Sequence, residues 1–401
     1  MRILHLTYRV PFPANDGGSI AISNMILGLS QNGCILDVVA INTPKHKQAE
    51  ATENRTYNQY NVFVDTNISA LKLMKNVAFG SIPYNVERFY SKAVADQLKT
   101  LLNEHHYDFI QLESAFTALY MDDIRKHTDV PVIIRTHNIE YLIWKRLSVH
   151  EKNPLKKMFF KHLSKRLKKF ETVYYSKADG IASITTDDRL RMLEMGVTSL
   201  ISVVPAGIVL DKYVKYKGDS GKPTTIFSIS SLDWMPNIEG LKWFLKQVWP
   251  QVTAAKPELE LHIAGKATPQ WLKELNQKNV VVHGFVDDSI AFMNAYQLMI
   301  VPLLSGSGMR VKIIEGFASG KCVISTSVGA EGIPYTHDEN IVIADTVDEW
   351  VNAITSLLEK DEKRIAIEQK AQELVCREFE NKSVTGKVLG LYYQIKEDRS
   401  K

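Results

Sequence analysis

The stretch SGSGMRVKIIEGFASGK, residues 305–321, follows an apolar run at residues 298–304 that is short enough to be a buried strand. Gly306 and Gly308 predict a tight turn, and the spacing after them predicts a helix that ends at Gly320. A strand, a glycine turn and a helix start bring unpaired backbone N–H groups and the positive end of a helix dipole to one point. This order predicts a site suited to phosphate.

The helix after the turn carries a cation and a carboxylate on one face. Counted from Gly308, helical spacing places Lys312, Glu315 and Ser319 together. A cation one turn into the helix is suited to hold a phosphate, and a carboxylate one turn further is suited to accept hydrogen bonds from sugar hydroxyls. The same two residues also fit a surface ion pair, which contributes little stability. Nucleotide-sugar binding and a solvated helix are both open at this point.

On either side of this stretch, short apolar runs alternate with helical patterns. We predict a strand at 225–230, one uninterrupted helix at 238–253 and a strand at 298–304, whereas residues 44–90 show no clear pattern. The alternation predicts parallel sheets covered on both faces, with ligands at the carboxyl ends of the strands. The fold class is therefore α/β, with doubly wound Rossmann-like domains.

The length of 401 residues exceeds what one core usually organises, so we expect two domains. We assign residues 1–205 to an N-terminal domain and 206–380 to a C-terminal one. The seam is predicted at 204–207 and in the polar run 215–223.

Composition excludes several classes of protein. With 45% hydrophobic and 23% charged residues the chain is an ordinary globular one, and a net charge of +4 is too mild for nucleic-acid binding. The three cysteines are scattered and predict a reducing compartment. No apolar run is long enough to span a membrane, so we expect a cytoplasmic protein.

Polar groups also follow two strands of the first domain. Gly17 and Gly18 come after the first strand and would let backbone N–H groups approach a ligand, although a plain tight turn explains them equally. His137, Asn138 and Glu140 lie where a strand gives way to a helix, a position that usually faces a crevice. His137 is suited to donate a hydrogen bond to a sugar hydroxyl; the alternatives are a structural histidine and, for Asn138, a helix cap.

Two further features allow both a structural and a functional interpretation. Trp234 follows the first strand of the second domain, where it would either stack on a ligand or be buried. The helix predicted at 155–176 has an apolar stripe and many cations. They are Lys156, Lys157, Lys161, Lys165, Arg166, Lys168 and Lys169. Such a helix is either a solvated outer face or a peripheral contact with anionic membrane at the inner face of the plasma membrane.

Together these segments resemble the retaining glycosyltransferases of family four (glycosyl transferases group 1), and within them the exopolysaccharide-associated sugar transferases. The resemblance spans nearly the whole chain in the expected order. It rests on residues 17–18, 137–140, 204–208, 282–287 and 308–315.

The resemblance implies the GT-B fold, with the two parallel sheets facing a central cleft and a C-terminal helix at about 381–397 packing back on the N-terminal domain. It implies transfer of a sugar from a nucleotide diphosphate sugar to a glycan or lipid-linked acceptor, with the configuration retained, in cell-surface polysaccharide or glycolipid synthesis. It implies no metal and no cofactor other than the nucleotide sugar itself.

The resemblance also gives roles to residues. Glu315 would bind the ribose hydroxyls, and Arg310 and Lys312 would neutralise the diphosphate, helped by N–H groups around Gly308 and Met309. From the first domain, His137 would face the transferred sugar. Gly17 and Gly18 would close over the phosphates, and Asn138, Glu140 and Trp234 are further candidate contacts.

Two departures from the family pattern stand out. Ser307 takes the place of the first of two glutamates, which normally touches the donor sugar and here would be a different donor contact. The usual arginine and lysine after the first strand of the second domain are missing, with Ser231 and Asn237 nearby. We expect Arg310 to supply the missing charge. A nucleotide-sugar epimerase on the same architecture and a non-catalytic GT-B relative are the alternatives.

Overall fold

The computed structural model describes residues 1–14, 16–48, 56–213, 225–306 and 308–401. The predicted seam at 215–223 and the candidate residue Ser307 lie outside these ranges. The chain divides into two compact units. The first holds Met1–Gly207, the short stretch 308–309 and Asn381–Lys401, and the second holds Ile208–Gly306 and Arg310–Glu380.

The first unit is built on strands that alternate with helices. Its elements are β1 (Arg2–Thr7), α1 (Gly17–Gln31), β2 (Ile35–Asn42), β3 (Asn58–Phe63), α2 (Ala70–Phe79), α3 (Tyr84–Glu87), α4 (Lys92–Glu104), β4 (Phe109–Glu113), α5 (Ala115–Ala118), α6 (Met121–Ile124), β5 (Val132–Arg135), α7 (Glu140–His150), α8 (Pro154–Ser176), β6 (Gly180–Ser183), α9 (Thr186–Glu194) and β7 (Leu200–Val203). The strands form one parallel sheet in the order β3-β2-β1-β4-β5-β6-β7.

The second unit repeats the plan with a smaller sheet. Its elements are β8 (Thr225–Ile229), α10 (Met235–Trp243), α11 (Trp249–Ala255), β9 (Glu260–Ala264), α12 (Gln270–Lys273), β10 (Val280–Gly284), α13 (Ser289–Asn294), β11 (Leu298–Val301), α14 (Val311–Ala318), β12 (Cys322–Ser325), β13 (Val342–Ile343), α15 (Val347–Glu359) and α16 (Asp361–Glu378). Its parallel sheet has the order β10-β9-β8-β11-β12-β13. Both sheets are doubly wound, as the alternation predicts.

The last helix, α17 (Asn381–Ser400), completes the core of the first unit. Its buried apolar side chains are Val384, Val388, Leu391, Tyr392 and Ile395. Tyr392 stacks on the ring of Phe109 at 4.5 Å between centroids. Asn381 donates to the carbonyl of Asn24 at 2.8 Å, and Asn24 donates to the carbonyl of Gly207 at 2.8 Å. The first unit is therefore made of two distant parts of the chain.

Some boundaries differ from the predictions for local reasons. The helix predicted over 238–253 is interrupted by a π turn at Phe244–Val248, because Pro250 lacks an N–H and its ring displaces the preceding turn. The strand predicted over 298–304 ends at Val301, where Pro302 cannot continue the ladder. Strand β3 lies within residues 44–90, where the sequence shows no clear pattern. Its sequence NQYNVF is polar, as suits an edge strand that pairs with a neighbour on one side only.

Within the described ranges, no helix is both long enough and apolar enough to cross a membrane.

Candidate functional site

A buried carboxylate organises the carboxyl edge of the first sheet. Strands β1, β4 and β5 are neighbours there, and the order of the sheet reverses between β1 and β4. Glu113 at the end of β4 is fully buried. Its Oε1 accepts hydrogen bonds from His5 Nε2 at 2.7 Å and Gln111 Nε2 at 2.7 Å. Its Oε2 accepts from His137 Nε2 at 2.5 Å and Arg135 at 3.2 Å. Glu113 therefore holds His137 in place.

Burial and neighbouring charges shift the pKa values of Glu113 and His137. Although burial opposes it, the Arg135 guanidinium, with the hydrogen bonds from His137 and His5, keeps the pKa of Glu113 well below its ordinary value. Burial lowers the pKa of His137, and the hydrogen bond to Glu113 acts in the opposite direction. A hydrogen bond to the ionised Glu113 thus holds His137 at the carboxyl edge of the sheet.

The same cluster is tied to the last helix. The hydroxyl of Tyr392 in α17 donates to the side-chain oxygen of Gln111, whose amide nitrogen donates to Glu113. The pKa of Tyr392 is raised well above its ordinary value by burial and by the charge of Glu113. A hydrogen-bonded path thus runs from α17 to His137.

The glycine pair in the first unit opens α1, as expected. Asp16 caps the helix by accepting from Ser19 N at 3.0 Å, and its carboxylate also accepts from Arg9 at 2.6 Å. A Cβ on Gly18 would lie 2.7 Å from the Tyr8 hydroxyl and 3.2 Å from the Arg9 guanidinium. Tyr8 and Arg9 therefore occupy the space that a side chain at Gly18 would take. Gly17 is the first residue of the helix.

The helix after His137 is capped from another element. Asn138 is not the cap: Glu171 in α8 accepts from the backbone N–H groups of Glu140 at 2.8 Å and Tyr141 at 3.0 Å. Burial raises the pKa of Glu140 to about 7, opposed by a hydrogen bond from Asn138. Burial likewise raises the pKa of Glu171 to about 8. Glu140 is a buried group of the first unit.

In the second unit, α14 follows β11 at the point where the strand order reverses between β8 and β11. Lys312 in its first turn donates from Nζ to Asn237 Oδ1 at 3.0 Å, and Asn237 donates to the carbonyl of Ser231 at 2.8 Å. Burial lowers the pKa of Lys312 to about 7, and the charge of Arg310 adds to the shift. Lys312 is thus held against the loop after β8.

The carboxylate of Glu315 has a partner that the sequence pattern does not indicate. Glu315 Oε1 accepts from the hydroxyl of Tyr213 at 3.0 Å. Burial raises the pKa of Glu315 to about 7, and the hydrogen bond from Tyr213 opposes this shift. Among the described residues, no ion pair joins Lys312 to Glu315, so the surface-pair interpretation is wrong.

Arg310 lies close to Trp234 and Gly306. The Arg310 guanidinium lies over the ring of Trp234 at 5.2 Å, so Trp234, which is half-exposed, stacks on a cation. Gly306 and Gly308 have φ angles of +133° and +77°, which residues with a side chain rarely adopt. A Cβ on Gly306 would lie 2.3 Å from a guanidinium nitrogen of Arg310. Met309 is buried.

Ser319 is fully buried at the end of α14. The apolar positions of α14 that were expected to pack inward are all buried. They are Val311, Ile314, Phe317 and Ala318.

Glu113 and Tyr213 are not predicted as site residues from the sequence, for different reasons. Gln111 and Glu113 alternate along an otherwise apolar strand, which is a signal that was available. Tyr213 precedes a polar run and gives no such signal. In the described ranges, no group of three histidine, cysteine or acidic side chains is arranged to hold a metal ion.

Family comparisons give the class of protein that this fold and these residues define. The model described as "Glycosyltransferase Family 4" matches residues 15–212, and the model described as "Glycosyl transferases group 1" matches residues 223–360. Together they take in most of both units. The chain therefore belongs to these glycosyltransferases, and it is an enzyme of the GT-B fold.

Individual proteins agree with this assignment. A Klebsiella pneumoniae protein, described as an uncharacterized 44.6 kDa protein in the cps region, is 25% identical over 86% of this chain and 87% of its own length. The sucrose-phosphate synthase of Thermosynechococcus elongatus superposes with a TM-score of 0.75 at 16% identity, over 99% of this chain and 100% of that one. Anabaena HepE, solved with UDP and glucose, gives 0.68 at 15% identity, over 98% and 99%. At such identities the superpositions show the fold.

Proposed function

We propose that this glycosyltransferase moves a sugar from a nucleotide diphosphate sugar to a glycan or lipid-linked acceptor and retains the anomeric configuration. The setting we propose is cell-surface polysaccharide or glycolipid synthesis. The description of the Klebsiella relative as a protein of a cps region supports this setting.

The observation that carries the proposal is the set of charged groups around the start of α14. Glu315 would bind the ribose hydroxyls, in place of or beside its hydrogen bond from Tyr213. Arg310 and Lys312 would neutralise the diphosphate, with backbone N–H groups near Gly308 adding dipoles. These two cations suit the charge that develops on the leaving diphosphate, and we propose that no metal ion is needed.

The coordination of Glu113 supports retention by an internal proton transfer. Each oxygen of this carboxylate already accepts two hydrogen bonds, so its four lone-pair sites are occupied and it is poorly suited to act as nucleophile or base. In the proposed step, the bond from the anomeric carbon to the phosphate oxygen breaks and the bond to the acceptor oxygen forms. The acceptor's proton passes to the departing phosphate oxygen, on the same face of the sugar. His137 would face the transferred sugar.

The other expected contacts remain part of the proposal. Gly17, Gly18, Asn138 and Glu140 would contribute from the first unit and Trp234 from the second, with Ser307 in the place of the family's donor-sugar contact. We also propose a cytoplasmic enzyme whose helix α8 meets an anionic membrane at its inner face.

The donor site is tested by thermal unfolding of the purified protein with UDP, GDP, ADP, CMP and their common sugar conjugates. A ligand that binds only the folded state raises the melting temperature. We expect one nucleotide diphosphate series to do so. We expect Glu315→Ala and Lys312→Ala to weaken its binding about tenfold or more, the loss of a hydrogen bond to a charged group worth about 1.5–3 kcal/mol.

The exposed Glu373→Ala serves as control, since its carboxylate pairs with Lys370 on the same helix. Unchanged binding in the Glu315 and Lys312 variants would overturn the assignment of the site. Loss of folding in both would show that they are structural groups.

The reaction is tested by NMR of the product formed from the stabilising donor. A glycoside with the donor's anomeric configuration is expected. An inverted glycoside would overturn the retaining mechanism, and free epimerised nucleotide sugar formed without acceptor would favour the epimerase.

A further inference from the structure

Helix α2 turns its apolar side chains to solvent. In this ten-residue helix Asn76 is the buried residue and Leu73 is partly buried, whereas five other large apolar side chains of the segment are exposed. They are Ile68, Leu71, Met74, Val77 and Phe79. Phe79 is 90% exposed and Met74 63%. At helical spacing Leu71, Met74 and Ala78 lie on one face, opposite Asn76. Surface helices of globular proteins normally turn such a stripe to the core, so this one is reversed.

The reversed orientation is fixed by polar contacts on the inner side of the helix. Asn76 Nδ2 donates to the carbonyl of Ile82 at 2.8 Å and to Glu87 at 2.6 Å. Arg166 in α8 donates to Asn76 Oδ1 at 2.9 Å, to the carbonyl of Gly80 at 2.7 Å and to that of Ile82 at 2.9 Å. Arg166 thereby binds the end of α2 to α8. The apolar face cannot turn inward without breaking these bonds.

Cations outnumber carboxylates in the two segments that carry the apolar face, and the exposed Glu87 is bound to Asn76 on the inner side of α2. Residues 66–86 contain Lys72 and Lys75 and no acidic residue. Residues 152–170, which include most of α8, also contain no acidic residue. Their cations are Lys152, Lys156, Lys157, Lys161, Lys165, Arg166, Lys168 and Lys169. Near the start of α8, Leu155 and Met158 add two more exposed apolar side chains.

We propose that α2 inserts its apolar face into the surface of an anionic lipid bilayer while the lysines of α8 contact the headgroups. Apolar side chains flanked by cations match the boundary between acyl chains and anionic headgroups. A second copy of the chain would bring lysines against lysines. An acidic protein would pair with the lysines and leave the apolar row of α2 unexplained. An anionic lipid surface accounts for both the apolar row of α2 and the lysines of α8.

The inference rests on the membrane contact in the proposed function and names the element that enters the lipid. Its test reads lipid binding and not sugar transfer, so the two proposals can fail separately. The full-length protein is mixed with sucrose-loaded vesicles of phosphatidylcholine alone, or of phosphatidylcholine and phosphatidylglycerol in equal parts, and sedimented. We expect the protein to sediment with the anionic vesicles and to stay in solution with the neutral ones.

Three variants separate the two contributions. The triple variant Leu71→Ser, Met74→Ser, Phe79→Ser removes exposed apolar groups, and we expect it to bind anionic vesicles at least about tenfold more weakly, because less apolar surface leaves water on insertion. Lys156→Gln with Lys161→Gln should weaken binding and reduce its dependence on salt. The control Phe285→Ser with Ile365→Ser removes exposed apolar groups of the second unit and should bind as the wild type does.

A tryptophan at the helix reports insertion directly. In Leu71→Trp, we expect a blue shift of the added emission with anionic vesicles and none with neutral ones. Absence of binding to anionic vesicles, or equal binding by the triple variant and the wild type, would overturn the proposal. Concentration-dependent dimerisation that the triple variant abolishes would assign the face to a second copy instead.

Discussion

Glu113 is a single side chain on which four buried donors converge, and its charge offsets that of the fully buried Arg135. Glu113→Gln leaves Arg135 without an ionised partner. We expect the free energy of unfolding to fall by about 3–5 kcal/mol, measured by urea denaturation at neutral pH. Because the pKa of Glu113 is lowered in the folded state, its contribution is complete above the ordinary glutamate pKa of about 4.3 and is lost as the pH falls below it.

The matched control is the double variant Glu113→Gln, Arg135→Met. Removing the unpaired cation should recover part of the lost stability. An unchanged urea midpoint for Glu113→Gln would show that the carboxylate does not stabilise the edge of the sheet.

Replacement of Lys312 is expected to raise the free energy of unfolding, whereas replacement of Glu113 is expected to lower it. Its pKa is about 7 in the folded protein and about 10.4 in an unfolded chain. Between these values the unfolded state binds more protons, so stability of the wild type rises with pH. We expect Lys312→Met to raise the free energy of unfolding by about 1–2 kcal/mol at slightly acidic pH, and the difference to disappear towards pH 10.

Thermal unfolding across this pH range checks the prediction. The exposed Lys273→Met is the control and should show no such trend. A pH-independent difference for Lys312→Met would mean that Lys312 does not titrate near neutrality. Confirmation would mean that the site carries a cation at a cost in stability, as functional sites often do.

Sequence patterns identify groups that lie near each other along the chain and miss partners that are distant. Helical spacing predicts the positions of Lys312 and Glu315 because both belong to one helix. Nothing in the sequence connects Glu113 to His137 or Tyr213 to Glu315, since the members of each pair lie far apart along the chain and meet only in the folded structure.

At the scale of elements, α10 depends on a close approach that a single methyl group would block. A Cβ on Gly240 would lie 1.9 Å from the carbonyl oxygen of Pro302, just after β11. Alanine normally stabilises a helix interior by about 1 kcal/mol relative to glycine. We expect Gly240→Ala instead to lower the free energy of unfolding by about 2 kcal/mol or more, measured by urea denaturation.

The same substitution has a matched control in α17. Gly386 is exposed, and a Cβ there would meet nothing within 4 Å. Gly386→Ala should stabilise by about 0.5–1 kcal/mol. Equal effects at the two glycines would show that α10 has room to move away from β11.

Most elements follow from hydrophobic periodicity, and the exceptions have physical causes. Strands buried on both faces, such as β5 and β12, show the apolar runs that predict them. Strand β3 and helix α2 do not: one is a polar edge strand and the other exposes its apolar face. Predictions from hydrophobic periodicity assume that apolar residues are buried, so they miss an element whose apolar residues are exposed.

At the scale of the whole molecule, the two units make different demands on the chain. The second unit lies within 208–380, whereas the first needs α17 to complete its core. We expect a fragment of residues 208–380 to unfold cooperatively on its own. A fragment of residues 1–207 should not, because it lacks Val388 and Tyr392 among others, and losing each large core side chain costs about 2–5 kcal/mol.

Circular dichroism during heating distinguishes these outcomes. Addition of a peptide of residues 381–401 should restore a cooperative transition to the first fragment. If residues 1–207 alone melt like the full-length protein, α17 is not an essential part of that core.

The position of α17 in the chain also sets an order of events during protein synthesis. The ribosome makes all of residues 208–380 before it makes the helix that covers Phe109 and hydrogen bonds to Gln111. Domains generally fold as they emerge, the N-terminal one first. Here the unit that is translated first cannot complete its core until α17 has been made, so we expect it to expose apolar surface for longer than the second unit does.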